Sequence, residues 1–282
     1  MRIAILFEGS PSKPGGFYQS LQSASILNEI KDVRFDLEFI CLEKNTFDLL
    51  KKDNFKVKLF NNSFKKKLFN LFLNFQFFKN LIINYEIEHP FSQFLTSHNY
   101  DLIIFLSPSV LSYHCGKTNF IINIWDLDHK RNSPYPEHRI NYNFIKREEL
   151  INYSIFHSIN VIVPENKTRD ELIKIYSCDK KKIVTQPFIP YLPKIFENNN
   201  PTISFSDIFE KLNINKKKII LYPATFWPHK NHQYLLEVAK ILKQEKKDDY
   251  LFVFCGADNG NLNFIKKEIK IFNLEDYFKI LP

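Results

Sequence analysis

Glycine is scarce in this 282-residue chain, with 6 residues, and no G-x-G-x-x-G run follows the first apolar segment. That absence argues against an oxidoreductase or a nucleotide-sugar epimerase built on the dinucleotide fingerprint. Four cysteines, Cys41, Cys115, Cys178 and Cys255, lie far apart with no C-x-x-C pair, which argues against a zinc ribbon or a disulfide framework. Reduced, mostly buried thiols are expected instead. No stretch reaches about 18 uninterrupted apolar residues, so no transmembrane helix is expected. The opening segment, "MRIAILFEGSP", lacks a long apolar leader region and reads as a first strand, which gives the expectation of a cytoplasmic protein.

What is present points to a globular α/β protein. The hydrophobic fraction is 44%, with 29 phenylalanines, enough for sizeable cores. The length exceeds the usual single-domain size of about 100–200 residues, so two domains are expected. Lysine and arginine outnumber acidic residues 39 to 31, a net charge of +8 that favours an acidic partner. The lysines are spread along the chain and no RNA-binding or recognition-helix pattern occurs, so a nucleotide is preferred over nucleic acid.

Short apolar runs alternate with helical-period stretches, the signature of βα units and a parallel sheet. Strands are expected at Arg2–Phe7, Phe35–Leu42, Phe55–Phe60, Asp101–Leu106, Asn119–Trp125, Asn160–Val163 and Lys182–Gln186. Helices are expected at Phe17–Ile30, Thr46–Lys52, Phe64–Ile83, Asn141–Phe156 and Arg169–Tyr176, the last capped by Thr168 with Glu171 reciprocating. The prolines and asparagines after Gln186 break this pattern and lead to a short helix near Ser206–Leu212. A second βα set follows: strand Lys218–Tyr222, helix Gln233–Lys243, strand Tyr250–Cys255, helix Leu262–Phe272 and a final "YFKILP". The expectation is two Rossmann-like domains: residues 1–188, a linker 189–215, and a second, incomplete domain over 216–282.

The loop "YPATFWPHKNH", Tyr222 to His232, joins a strand of the second set to its helix. Ligands of open parallel sheets bind beyond the carboxyl ends of strands, where loops enter helices. Asn231 is a good N-cap, the amides of the next turn favour an anion, and Lys230 adds a full positive charge beside them. A packed interdomain seam with a solvated lysine accounts for the same residues.

The string "YPATFWPHKNHQYLLEVAKIL" resembles the start of the C-terminal domain in family-4 retaining glycosyltransferases of the two-Rossmann (GT-B) architecture. The resemblance implies that Lys230 contacts the donor diphosphate, with His229, Asn231 and His232 in the same donor-binding loop. "EGSPSKPGGFYQSL" sets Gly15 and Gly16 where the family has a glycine pair that lets the backbone approach donor phosphate and acceptor. "NIWDLDHKRNSPYPEHR" resembles a further family loop, matched at Asp126, His129, Pro136 and Glu137, with Trp125 in place of the usual first histidine. Asp126 and His129 are the catalytic candidates this implies. "VIVPENKTRDELIKIYSCDKKKIVTQPF" resembles the end of the N-terminal domain.

The activity implied is sugar transfer with retention from a nucleotide-sugar to a saccharide or lipid-linked acceptor, in cell-surface polysaccharide or lipopolysaccharide synthesis. Lys230, the helix start and the Gly15–Gly16 backbone would stabilise the leaving diphosphate, so neither cofactor nor metal is expected. Asp126-Leu127-Asp128 has the D-x-D form of metal-dependent glycosyltransferases, but the family loop already accounts for it. His114-Cys115 lacks an orienting third group and is not read as a nucleophile pair. Phe64 to Ile83 mixes lysines with aromatics; a buried helix is preferred, with peripheral contact at the inner membrane face as the alternative. The family's pair of glutamates separated by seven residues, in a Glu-Gly-Phe-Gly-Leu-Pro context, has no equivalent in this chain. Three readings follow: a partial chain of an ordinary glycosyltransferase, which is preferred, one half of a split enzyme, or a non-catalytic acceptor- or partner-binding module.

Overall fold

A computed structural model describes residues 1–10, 14–30, 32–60, 88–190, 210 and 218–281. The expected helices at Phe64–Ile83 and Ser206–Leu212 lie outside the described residues, apart from helical Glu210. The chain divides into two compact units, residues 1–128 with 145–193, and residues 129–144 with 194–282.

The first unit holds a seven-stranded, wholly parallel sheet in the order β3-β2-β1-β4-β5-β6-β7. Its strands are β1 (Arg2–Phe7), β2 (Asp36–Cys41), β3 (Val57–Leu59), β4 (Leu102–Phe105), β5 (Asn119–Asn123), β6 (Asn160–Val163) and β7 (Ile183–Thr185). Strand β1 shows why its sequence is continuously apolar. Ile3, Ile5 and Phe7 face a core completed by Phe17, Leu21 and Ala24 of α1 (Pro14–Asn28) and Leu50 of α2 (Lys44–Lys52). Ala4 and Leu6 face a second core with Phe91 and Leu95 of α3 (Pro90–Ser97). Both faces are covered, so no polar alternation is needed. The strand order reverses direction at β1, between β2 and β4, and the crevice at such a reversal is where open α/β sheets bind ligands.

Helix α3 has no counterpart in the sequence reading. The His89 side chain accepts the Phe91 N–H at 3.1 Å and Pro90 opens the first turn, a start that needs no charged N-cap. Three further helices follow: α4 (Asp128–Arg131), α5 (Pro136–Arg139) and α6 (Asn143–His157). Helix α7 (Asn166–Tyr176) starts earlier than expected, with Glu165 and not Thr168 at the cap position. Thr168 is buried inside the first turn, and its hydroxyl donates to Glu165 Oε1 at 3.2 Å.

The second unit holds a parallel sheet of three described strands, β8 (Lys218–Pro223), β9 (Tyr250–Cys255) and β10 (Phe278–Leu281), in the order β10-β9-β8. Helices α8 (His232–Gln244) and α9 (Leu262–Ile271) cover one face. Leu236 and Ala239 of α8 and Ile265 and Ile269 of α9 bury Phe252 and Phe254 there.

Candidate functional site

The loop leaving β8 is built by close backbone contact before any ligand is considered. Phe226 N–H donates to the Ala257 carbonyl at 2.9 Å, and Phe226 pairs with Asp258 as an isolated parallel bridge. The two loops at the carboxyl ends of β8 and β9 are thereby zipped together. A Cβ on Gly256 would stand 2.3 Å from the Ala224 carbonyl oxygen, so only glycine permits this approach.

From Phe226 the chain makes a 3-10 turn, Pro228–Lys230, and enters α8 through Asn231. Asn231 takes left-handed angles (φ 52°, ψ 43°), which asparagine tolerates better than most residues, and its side chain accepts the Tyr234 N–H at 3.3 Å. His232, the first residue of the helix, is fully buried. Its ring stacks on Phe226 with centroids 4.4 Å apart and meets Tyr222 and Phe254 edge-on. Burial pushes its pKa below the ordinary imidazole value, opposed in part by the nearby Ala224 backbone, which favours the proton. The imidazole therefore anchors the loop.

Lys230 is exposed and makes no ion pair among the described residues, while its carbonyl accepts the Tyr222 hydroxyl at 2.5 Å. The amine is free for an anion while its backbone is fixed. His229 is tied to Glu137 of α5: its backbone N–H donates to Glu137 Oε1 at 3.3 Å and its ring Nδ1 contacts the same oxygen. The Tyr135 ring stands edge-on to the imidazole at 6.3 Å. Sequence reading noted Glu137 as a motif match and gave it no role. It stands ninety-two residues from His229, and no local pattern announces the contact.

In the first unit, Gly15 is exposed and open, whereas a Cβ on Gly16 would lie 2.8 Å from Cζ3 and Cη2 of Trp125. The indole lies against the glycine backbone and is met edge-on by Phe188 at 6.1 Å. Asp126 accepts the Asp128 N–H at 2.8 Å and pairs with Arg147 at 2.5 Å, so its carboxylate is committed to holding the start of α4. His129 is fully buried, edge-on to Phe144 of its own unit, away from the open position that proton transfer to a substrate requires. Cys115 is likewise no nucleophile, because burial pushes its thiol up to about 12. No group of three or more His, Cys, Asp or Glu side chains suited to a metal occurs among the described residues.

Residues 204–282 match the family described as glycosyl transferases group 1. Among curated proteins, none matches the chain. Solved structures do. The HepE protein of Anabaena, crystallised with UDP, is 15% identical with a TM-score of 0.61, over 100% of this chain and 69% of that one. A glycosyltransferase from Rickettsia africae is 17% identical with a TM-score of 0.60, over 99% and 67%. A putative UDP-N-acetylglucosamine 2-epimerase from Listeria monocytogenes is 11% identical with a TM-score of 0.53, over 99% and 68%. The α/β fold, with parallel sheets of seven strands and of three described strands, is that of GT-B proteins, and its second unit carries a glycosyl transferases group 1 match.

Proposed function

We propose that the chain is a glycosyltransferase that draws a sugar, with retention, from a nucleotide-sugar whose diphosphate rests on the turn Pro228–Lys230 and the first amides of α8. The observation that carries this reading is Lys230: a cation without an ion pair among the described residues, on a backbone pinned by Tyr222, beside a 13-residue helix whose opening N–H groups favour an anion. The group 1 match over the same segment supports it. When the sugar–phosphate bond breaks, negative charge grows on the departing diphosphate, and a fixed cation with helix amides stabilises it without reorganisation. The Gly15–Gly16 backbone, Asp126 and His129 belong to the same reading through the family resemblance, Asp126 and His129 by shaping their loop. The acceptor, saccharide or lipid-linked, and a role in cell-surface polysaccharide synthesis rest on that resemblance as well.

The test is a titration of UDP and GDP into the purified chain, followed by tryptophan fluorescence and calorimetry. Lys230→Ala is expected to weaken binding about 10- to 100-fold, the worth of one hydrogen bond to a charged group. Unchanged affinity would remove Lys230 from the site, and a chain that binds neither nucleotide supports the non-catalytic reading. The fold is shared with a protein described as an epimerase, so a donor screen should follow both transferred sugar and sugar epimerised at C2. Only the former agrees with the proposal.

A further inference from the structure

We infer that Glu137 is the positioning residue of the nucleotide loop, holding His229 with the proton on Nδ1 so that Nε2 is the ring nitrogen offered to the donor's phosphates. This rests on the reading of the loop as a diphosphate site and assigns a role within it.

The Glu137 side chain is only 9% exposed, and its Oε2 has no hydrogen-bond partner among the described residues. A carboxylate withdrawn from water is costly unless a positive or proton-donating group meets it. Beside its own backbone N–H, two contacts come from one residue: the His229 backbone N–H and ring Nδ1 converge on Oε1. An ionised carboxylate only accepts, so Nδ1 must donate, and that fixes the tautomer. The ring nitrogen left over is Nε2. In a neutral ring it carries a lone pair, and in an imidazolium a second N–H.

Geometry adds a second consequence. His229 and Lys230 share one 3-10 turn, held at one residue by Glu137 and at the next by Tyr222. Without this pairing, a carboxylate this close to a phosphate would repel it. With His229 between them, the Glu137 carboxylate is met locally by the Nδ1–H of a ring whose side chain is 25% exposed. Phosphate oxygens would then meet Nζ of Lys230 and the first amides of α8, and Nε2 of His229 would donate to them once it takes up the second proton. Besides Glu137, the ionisable group that faces His229 is Tyr135, from the residue that precedes α5.

The experiment uses the full chain and two readouts. Imidazole 15N shifts in the ligand-free protein report the tautomer directly, with the His229 signals assigned by their loss in His229→Gln. The expected result is Nδ1–H in the wild type, relaxing to a tautomer mixture in Glu137→Ala and restored in Glu137→Asp. A wild-type ring protonated on Nε2 alone would overturn the inference without any variant having to fold. The second readout is UDP affinity: Glu137→Ala should weaken it about tenfold, Glu137→Asp should recover part of the loss, and Glu137→Ala added to His229→Gln should cost little more than His229→Gln alone. Independent, additive losses would overturn it. If the wild type shows the Nδ1–H tautomer and binds no nucleotide, the diphosphate reading fails and the Glu137–His229 pairing stands.

Discussion

His232 follows the cap of α8, yet its imidazole lies wholly inside an aromatic box of Tyr222, Phe226 and Phe254. Burial penalises the charged ring, so its folded-state pKa lies below the ordinary value. In the unfolded chain the same ring takes up a proton near pH 6.5. Below that pH the unfolded state binds more protons than the native one, so the stability that His232 contributes is complete above about 6.5 and declines as pH falls. Glu137 acts in a lower window. Burial raises its pKa, but hydrogen bonds from its own backbone and from His229 outweigh that and leave it below the usual carboxylate range, so its contribution is lost only in stronger acid. Urea unfolding of the second unit should therefore show a midpoint that falls between pH 7.5 and pH 5.5, and His232→Leu should flatten that slope. A slope unchanged by the substitution would mean that another group titrates with folding.

Helix α8 depends on Asn231 twice, for a side-chain cap and for left-handed angles that an alanine adopts poorly. Asn231→Ala is expected to destabilise the unit by about 1–2 kcal/mol and Asn231→Gly by less, since glycine keeps the angles and loses only the side-chain bond. Equal losses in denaturant titrations would show that the side-chain bond alone matters. Asn231 also marks what the sequence could disclose. Its cap and the charge of Lys230 follow from residue type and position, as do strands β1, β6 and β9, which have the bounds expected from sequence. Helix α3 carries no usual start signal because its cap is a histidine, and the start of α7 is masked because Thr168 resembles a cap while being buried in the first turn. The burial of His232 and the hold of Glu137 on His229 come from contacts between distant segments, which no periodicity encodes.

Across the whole chain the net charge is +8, and several of its lysines also pair with near neighbours. Lys218 pairs with Asp249 at 2.8 Å, Lys56 with Asp36 at 2.5 Å and Lys44 with Asp48 at 2.8 Å. These pairs are about half exposed, and such pairs contribute little to stability. The excess positive charge acts at longer range and would draw the proposed polyanionic donor toward the protein, an attraction that salt screens over about 8 Å at physiological ionic strength. UDP affinity is therefore expected to fall about fivefold as salt rises from about 50 mM to about 300 mM, mainly through slower association. Lys230→Ala should bind more weakly at every salt concentration and show a shallower dependence, because on the proposed reading one of the charges screened by salt is the one that would meet the phosphate. A salt-independent affinity in the wild type would mean that uridine and ribose contacts carry the binding and that Lys230 lies outside it.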